Sequence, residues 1–183
     1  MDIEIVEKVL KGDIDIFSEI IEKYEKMIYN LAYRIFNNRS DAEDITQEVF
    51  IKVYKNLHKC EGKQSIKTWV YTIAYNTCID EVRKRKGKNN ISLDMEIEGE
   101  KNSFSLEIPS NEPTPEKALM EKEGLFEIEQ AISSLNENNR ALIFLRDIKG
   151  LSYNEISEIM NLNIGTVKSR INRARNALKN ILK

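Results

Sequence analysis

Only three prolines, seven glycines, two cysteines and one histidine occur among 183 residues, and aromatic side chains make up 8% of the total. Each scarcity excludes something. With so few helix breakers, and with Glu, Lys, Ile, Leu and Asn abundant, the composition favours long helices over sheets and predicts an all-α class. Cys60 and Cys78 form no CxxC pair and follow no secretory h-region, so neither a disulfide framework nor a zinc site is expected, and the compartment implied is a reducing cytoplasm. A solitary His58, no glycine-rich phosphate loop and no paired Cys/His ligands leave an enzyme with little support. No cofactor or metal is expected. No apolar run approaches the roughly 20 residues that a membrane span needs, so direct membrane insertion is not expected either.

Charge is present in quantity but segregated. The formal net charge is only -2, yet residues 94–123 carry nine acidic side chains against three basic ones, whereas residues 166–183 carry six basic and no acidic ones. A second basic block, Arg83, Lys84, Arg85, Lys86 and Lys88, closes the first half. Two basic surfaces around an acidic connector suit a protein that touches a phosphate backbone at two places. Charge alone leaves a pair of solvated helix ends equally open.

Apolar periodicity divides the chain. From Asp13 to Phe36, residues Ile16, Ile20, Tyr24, Met27, Ile28, Leu31 and Ile35 recur at helical spacing. A second helix is expected from near Asp41, with Ser40 and Glu43 at capping-box spacing and a stripe of Ala42, Ile45, Val49, Phe50, Val53 and Leu57. After a break at Glu61 to Lys63, a third runs from Ser65 to Arg83, and a short N-terminal helix precedes all three. Residues 87–114 hold no sustained period and read as a flexible acidic linker. Thr114 and Pro115 then have the character of an N-cap and first helical residue, opening a helix towards Leu135. Shorter helices are expected over Glu137 to Ile148, Ser152 to Met160 with a Ser152/Glu155 capping box, and Ile164 to Leu182 capped by Asn163. The expected organisation is a helical domain at 1–88, a linker at 89–113 and a second helical domain at 114–183.

The last two helices, joined by a turn near Asn161, have the character of a helix-turn-helix, whose second helix enters the major groove. Lys168, Ser169, Asn172 and Arg173 share one face, while Val167, Ile171, Ala174 and Leu178 share the opposite one and are expected to pack inward. Arg and Lys can donate to guanine edges and Asn can pair with adenine. Thr166, at the helix N-terminus, suits a phosphate oxygen.

The run from Ala141 through Arg146, Gly150 and Tyr153 to Ile156, followed by Gly165 to Arg175, resembles region 4 of the extracytoplasmic-function sigma factors. Tyr33 to Ile35, Asp41 to Phe50 and Thr68 to Asn76 resemble region 2 of the same family. The resemblance covers nearly the whole chain except the linker. It implies a sigma factor that binds bacterial core RNA polymerase and directs initiation at promoters with -10 and -35 elements, as a stress- or envelope-signal-responsive alternative factor.

The same resemblance distributes roles along the chain. The segment Asp41 to Phe50 would dock on the polymerase β′ coiled-coil through Asp44, Gln47, Glu48 and Phe50, with β as a further contact. Residues 63–76 and the basic block would hold the melted -10 strand, through Lys63, Trp69, Tyr71, Asn76, Arg83 and Lys84. Trp69 and Tyr71 stand two positions apart and cannot share a helix face. Trp69, in step with Ile73, is the expected core residue, with Tyr71, Asn76, Arg83 and Lys84 at the surface. Thr166, Lys168, Ser169, Asn172 and Arg173 would read the -35 duplex, with Arg146 and Tyr153 on its phosphates. Family members commonly carry aromatics where this chain has Cys60 and Ile66, which puts the -10 preference in doubt. An anti-sigma factor is an implied partner. The competing reading is an ordinary helix-turn-helix regulator that binds an operator unaided and has no use for the docking helix.

Overall fold

A computed structural model of the chain describes residues 2–60, 65–89 and 115–182, and every regular element among them is helical. The eight α-helices are α1 (Asp2–Leu10), α2 (Phe17–Phe36), α3 (Arg39–Lys55), α4 (Ile66–Asn89), α5 (Pro115–Ser133), α6 (Glu137–Ile143), α7 (Tyr153–Met160) and α8 (Ile164–Ile181). Short 3-10 turns at Ile14–Ile16 and Leu57–Lys59 flank α2 and follow α3. The expected linker falls largely on residues 90–114, outside the described residues, as do Lys63 and the Thr114 cap.

Helix α2 is the spine of the first half. Its stripe of Phe17, Ile20, Tyr24, Ile28, Leu31, Ala32 and Ile35 is buried, with Ile28, Leu31 and Ile35 fully so. The helix stops because Asn37 takes the left-handed conformation at φ 54°, its N–H donating to Tyr33 O at 2.7 Å. Asn38 then caps α3 by accepting from the Asp41 N–H at 3.0 Å. The expected Ser40/Glu43 box does not form, because the helix starts two residues earlier and Ser40 is already inside it. Two asparagines thus turn the chain between α2 and α3, which pack on one another. Likewise α4 continues past Arg83 to Asn89, carrying the basic block on helix.

In the second half, α6 ends in a π-type turn at Phe144–Ile148 instead of running on as a regular helix. Gly150, at φ 69°, turns the chain into α7. The Ser152/Glu155 capping box forms in both directions: Glu155 N–H donates to Ser152 Oγ at 3.2 Å, and Ser152 N–H donates to the Glu155 carboxylate at 2.8 Å. The Ser152 N–H, together with the Ser152 hydroxyl that donates to the same carboxylate at 2.7 Å, holds the Glu155 carboxyl below the usual carboxylate range.

The two halves share one apolar core. Residues from α1 to α4 and from α6 to α8, among them Val70, Ala74, Leu142, Leu145, Ile156 and Ile159, all fully buried, belong to a single cluster. α4 packs on α2 and α3 and also on α7, while α2 packs on α6. A smaller cluster of Ile132, Leu135, Ile143 and Ala174 seats α5 against α8.

Ile28→Ala, at the centre of the stripe, should destabilise the protein by about 2–5 kcal/mol through lost transfer energy and an unfilled cavity, read as a lower denaturant midpoint at unchanged slope. A second expectation concerns acid. Because the Glu155 pKa is depressed in the folded state, its contribution to stability is present above the unfolded value of about 4.3 and is lost as pH falls through the folded one. Carboxyl NMR titration should place Glu155 below exposed glutamates, and Ser152→Ala should return it towards them.

Candidate nucleic-acid interface

The turn between α7 and α8 is built by side chains that close on their own backbone. Asn161 ends α7 in the left-handed conformation at φ 50°, Leu162 N–H donates to Ser157 O at 3.0 Å, and Ser157 Oγ donates to Leu162 O. Asn163 Oδ1 then accepts the Thr166 N–H at 2.8 Å and starts α8. With its ends fixed, α8 turns Val167, Ile171 and Ala174 into the core and leaves Lys168, Ser169, Asn172 and Arg173 exposed. Thr166 is half-buried at the edge of this face, and Ser169 Oγ donates to Thr166 O at 3.0 Å.

Beside that face the Tyr153 ring gathers two cations. The Arg146 guanidinium lies 4.5 Å from the ring centroid and the Lys168 ammonium 5.7 Å. Arg146 Nη1 also donates to Leu151 O at 2.6 Å. Sequence spacing separates these three residues widely; the π-type turn after α6 brings Arg146 back over α7. Arg175 has a different task. It pairs with Asp147 through two nitrogens, clamping the π-type turn to α8.

On the first half, α3 and α4 line a groove of about 410 Å³ with Lys52, Asn56, Lys59, Trp69, Ile73, Asn76, Thr77 and Asp80. Lys52 is held over it by Glu48 at 2.7 Å and Thr77 Oγ1 at 3.2 Å. The expected placement of the two aromatics is reversed. Trp69 is half-buried and lines the groove, whereas Tyr71 is 1% exposed, turned towards α7. Burial first, and the Glu155 carboxylate second, push the Tyr71 hydroxyl well above its ordinary pKa. The cause is that α4 is covered on two sides: Val70, Ala74 and Cys78 form one buried row, and Tyr71 and Tyr75 form a second that meets the other half of the protein. Cys60 is half-buried and Ile66 buried.

Asn76, Arg83 and Lys84 are exposed. The last two make only surface ion pairs within α4, to Asp80 and Glu81, which hold them weakly. Arg85 is committed. It donates two bonds to Asp41 at 2.7 and 2.8 Å and one to Glu81 at 3.0 Å, with its guanidinium 5.0 Å from the Phe36 ring centroid.

The outer side of α3 presents Asp44 and Gln47, with Glu48 half-buried beside them. Phe50 does not belong to this surface: it is 8% exposed and supports the helix from within. Ile51, 54% exposed, and Tyr54, 43%, continue the line instead. Ile51 was detectable in the sequence as an apolar residue out of phase with the α3 core stripe.

Two exposed basic, hydrogen-bonding faces on one helical frame, one of them a capped helix-turn-helix, have the character of a nucleic-acid-binding protein. The comparisons with known proteins narrow the class. Residues 20–88 match Sigma-70 region 2 and residues 125–178 match Sigma-70 region 4. The chain is 39% identical over 179 residues to the ECF RNA polymerase sigma factor SigW of Bacillus subtilis (strain 168), covering 97% of this chain and 95% of that one. It is 36% identical over 179 residues to the ECF RNA polymerase sigma-E factor of Escherichia coli (strain K12), at 96% and 91% coverage. Among solved structures its fold is similar to the sigma factor RpoE of Bartonella quintana in complex with the anti-sigma factor NepR. That match has a TM-score of 0.68 at 24% identity, covering 91% of this chain and 96% of the other. It is also similar to CnrH in complex with the cytosolic domain of CnrY, with a TM-score of 0.66 at 18% identity, covering 97% and 94%. The chain belongs to the extracytoplasmic-function RNA polymerase sigma factors: it is a transcription initiation factor that recognises promoters. Among the described residues no helix is long and apolar enough to cross a membrane.

Because Lys168 stands exposed at the edge of the α8 face, Lys168→Ala should weaken duplex binding by similar factors across DNA sequences. It should also reduce the slope of log affinity against log salt by about 0.9, the signature of one lost phosphate contact.

Proposed function

We propose that the protein docks on core RNA polymerase through α3, holds the melted -10 strand in the α3–α4 groove, and reads the -35 duplex with α8. The observation that carries this reading is the pairing of two differently shaped surfaces. One is a groove with a half-exposed indole beside lysines and amides, which suits stacked single-stranded bases. The other is a convex helix with exposed Asn172 and Arg173, which suit base edges in a major groove, and with Lys168 at its edge, which suits a phosphate.

In the groove, Trp69 offers the stacking face, Asn76 a hydrogen-bonding amide, and Lys52 and Lys59 the phosphate charge. Arg83 and Lys84 extend that charge along α4, and Lys63 belongs to the same expected set. Tyr71, as packed here, supports α4 and meets no DNA. In the second half, Thr166, Lys168, Ser169, Asn172 and Arg173 contact the -35 element, while Arg146 and Tyr153 orient on its phosphates. The division runs as the sequence suggests, with 1–88 and 114–183 as the working domains and 89–113 as connector.

Asp44, Gln47 and Glu48 form the polar part of the polymerase surface and Ile51 its apolar anchor, a mixture suited to a basic helical partner such as the β′ coiled-coil. Phe126, Ile128, Ile181 and Leu182 are each between 42% and 49% exposed and offer the β subunit an apolar contact. The relatives solved with anti-sigma factors support a regulatory partner of that kind. Activity is cytoplasmic in this reading, where polymerase and promoter meet.

Transcript 5′ ends mapped with core polymerase and genomic DNA, with and without the protein, should reveal new start sites sharing two upstream elements at fixed spacing. Sequence-specific duplex binding without core-dependent starts would favour an operator-binding regulator instead. Arg173→Ala should weaken -35 recognition roughly ten- to a hundredfold, the loss of one good bidentate contact, while leaving core affinity intact. Asp44→Ala with Gln47→Ala should do the reverse.

A further inference from the structure

The α3–α4 groove contains an acid that phosphate binding does not explain. Asp80 lines it beside Lys52, Lys59, Trp69, Asn76 and Thr77. The lysines, the indole and the amide suit a nucleic-acid strand, whereas a carboxylate set against a phosphate is repelled at close range. In such a groove an acid can contribute only where it meets a base.

The two walls of the groove divide the chemistry in a way that allows this. Both lysines come from α3 and the 3-10 turn that follows it, and Lys52 is held in place by Glu48 at 2.7 Å and Thr77 Oγ1 at 3.2 Å. The stacking face, the amide and the acid come from α4. A strand with its phosphates along the α3 wall turns its bases to the α4 wall. Asn76 and Asp80 stand four residues apart, about 6 Å along the helix axis, and Trp69 lies about 16 Å from Asp80, so the three meet different bases.

Asp80 is exposed, and among the described residues its partner is Arg83, whose Nη1 lies 3.3 Å from Oδ1. A carboxylate has about four lone-pair sites, so this one surface pair leaves most of its accepting capacity open. An unpaired base offers its Watson–Crick edge. On guanine that edge carries N1–H and the N2 amine side by side, two donors that match the two carboxylate oxygens. Thymine sets one N–H between two carbonyls, and cytosine and adenine set one amine beside a ring acceptor, which a carboxylate repels.

We propose that Asp80 is a specificity-determining residue of the groove, accepting two hydrogen bonds from the Watson–Crick edge of an unpaired guanine in the strand, an inference that rests on the -10 reading above. Arg83 braces the carboxylate from one side and, with five donors on its guanidinium, keeps others for a neighbouring phosphate.

The test uses holoenzyme assembled from core polymerase and the full chain, mixed with single strands randomised over the -10 segment, the bound pool being sequenced. Wild type should enrich guanine at one position. Replacing that guanine by hypoxanthine, which lacks the N2 amine, should weaken binding roughly tenfold. Asp80→Ala, at an exposed helical position, should keep the helical circular dichroism, lose guanine enrichment at that position alone and become indifferent to the hypoxanthine exchange. Asp80→Glu, which restores the carboxylate, should recover part of both. A wild type without guanine preference, or an Asp80→Ala profile that keeps its guanine while affinity shifts evenly for every strand, would overturn the assignment and leave Asp80 as a brace for Arg83. Trp69→Ala separates this failure from failure of the groove itself. Weaker strand binding with a profile that ignores Asp80 would overturn the guanine contact alone, and unchanged strand binding would overturn the groove reading and the contact with it.

Discussion

The two-sided burial of α4 governs the arrangement of every other surface. A helix packed on one side only needs a single apolar stripe, and its remaining circumference is free for polar work. α4 carries two adjacent rows, Val70, Ala74 and Cys78 beside Tyr71 and Tyr75, all buried. One row completes the first half and the other receives the second, so a narrow strip with Trp69, Asn76 and Asp80 is left for the groove. Burying a side chain as large as Val70 contributes roughly 1.5–3 kcal/mol, so both rows add to the joint that α4 makes with its neighbours. The tyrosines suit the seam because each pairs an apolar ring with a hydroxyl able to find a partner, as Tyr75 does in Asn138.

That double role explains where the sequence was legible. Helices with one apolar face and side-chain caps were readable in full: α8 begins at Asn163 and turns Val167, Ile171 and Ala174 inward, and α7 begins with the Ser152/Glu155 box. The all-α class and the place of the helix-turn-helix followed from those local signals. Trp69 and Tyr71 were not legible in the same way. A sequence period reports that a residue sits on an apolar stripe, but not which of two partners the stripe meets, and α4 shows almost no net amphipathic bias because its partners surround it. Phe50 was misread for a related reason: it stands two positions from Glu48 in sequence, and that step turns it to the other side of the helix, into the core. At Asn38 the deciding fact was the left-handed Asn37 before it, a backbone choice that Ser40 and Glu43 do not encode.

Charge segregation was visible from the start, but its use is more selective than a count of basic residues suggests. Arg85 is spent on Asp41 and Glu81, and Arg175 on Asp147. The Arg85–Asp41 pair ties α4 to α3 and the Arg175–Asp147 pair ties α8 to the π-type turn, so the arginines hold the frame on which exposed Arg83, Lys168 and Arg173 stand. The planar guanidinium is suited to this work because it can hold a carboxylate with two parallel bonds. The basic clusters therefore contain both exposed charges and the braces that hold the helices carrying them.

Linking the two proposed reading surfaces in one chain has a consequence for specificity. Each surface is small, with a handful of exposed polar side chains, and each alone would bind DNA weakly. Once one element is engaged, the second is met at the effective concentration set by the connector, and the combined affinity exceeds either part without any new contact. That gain depends on the halves being apart when the second element is met.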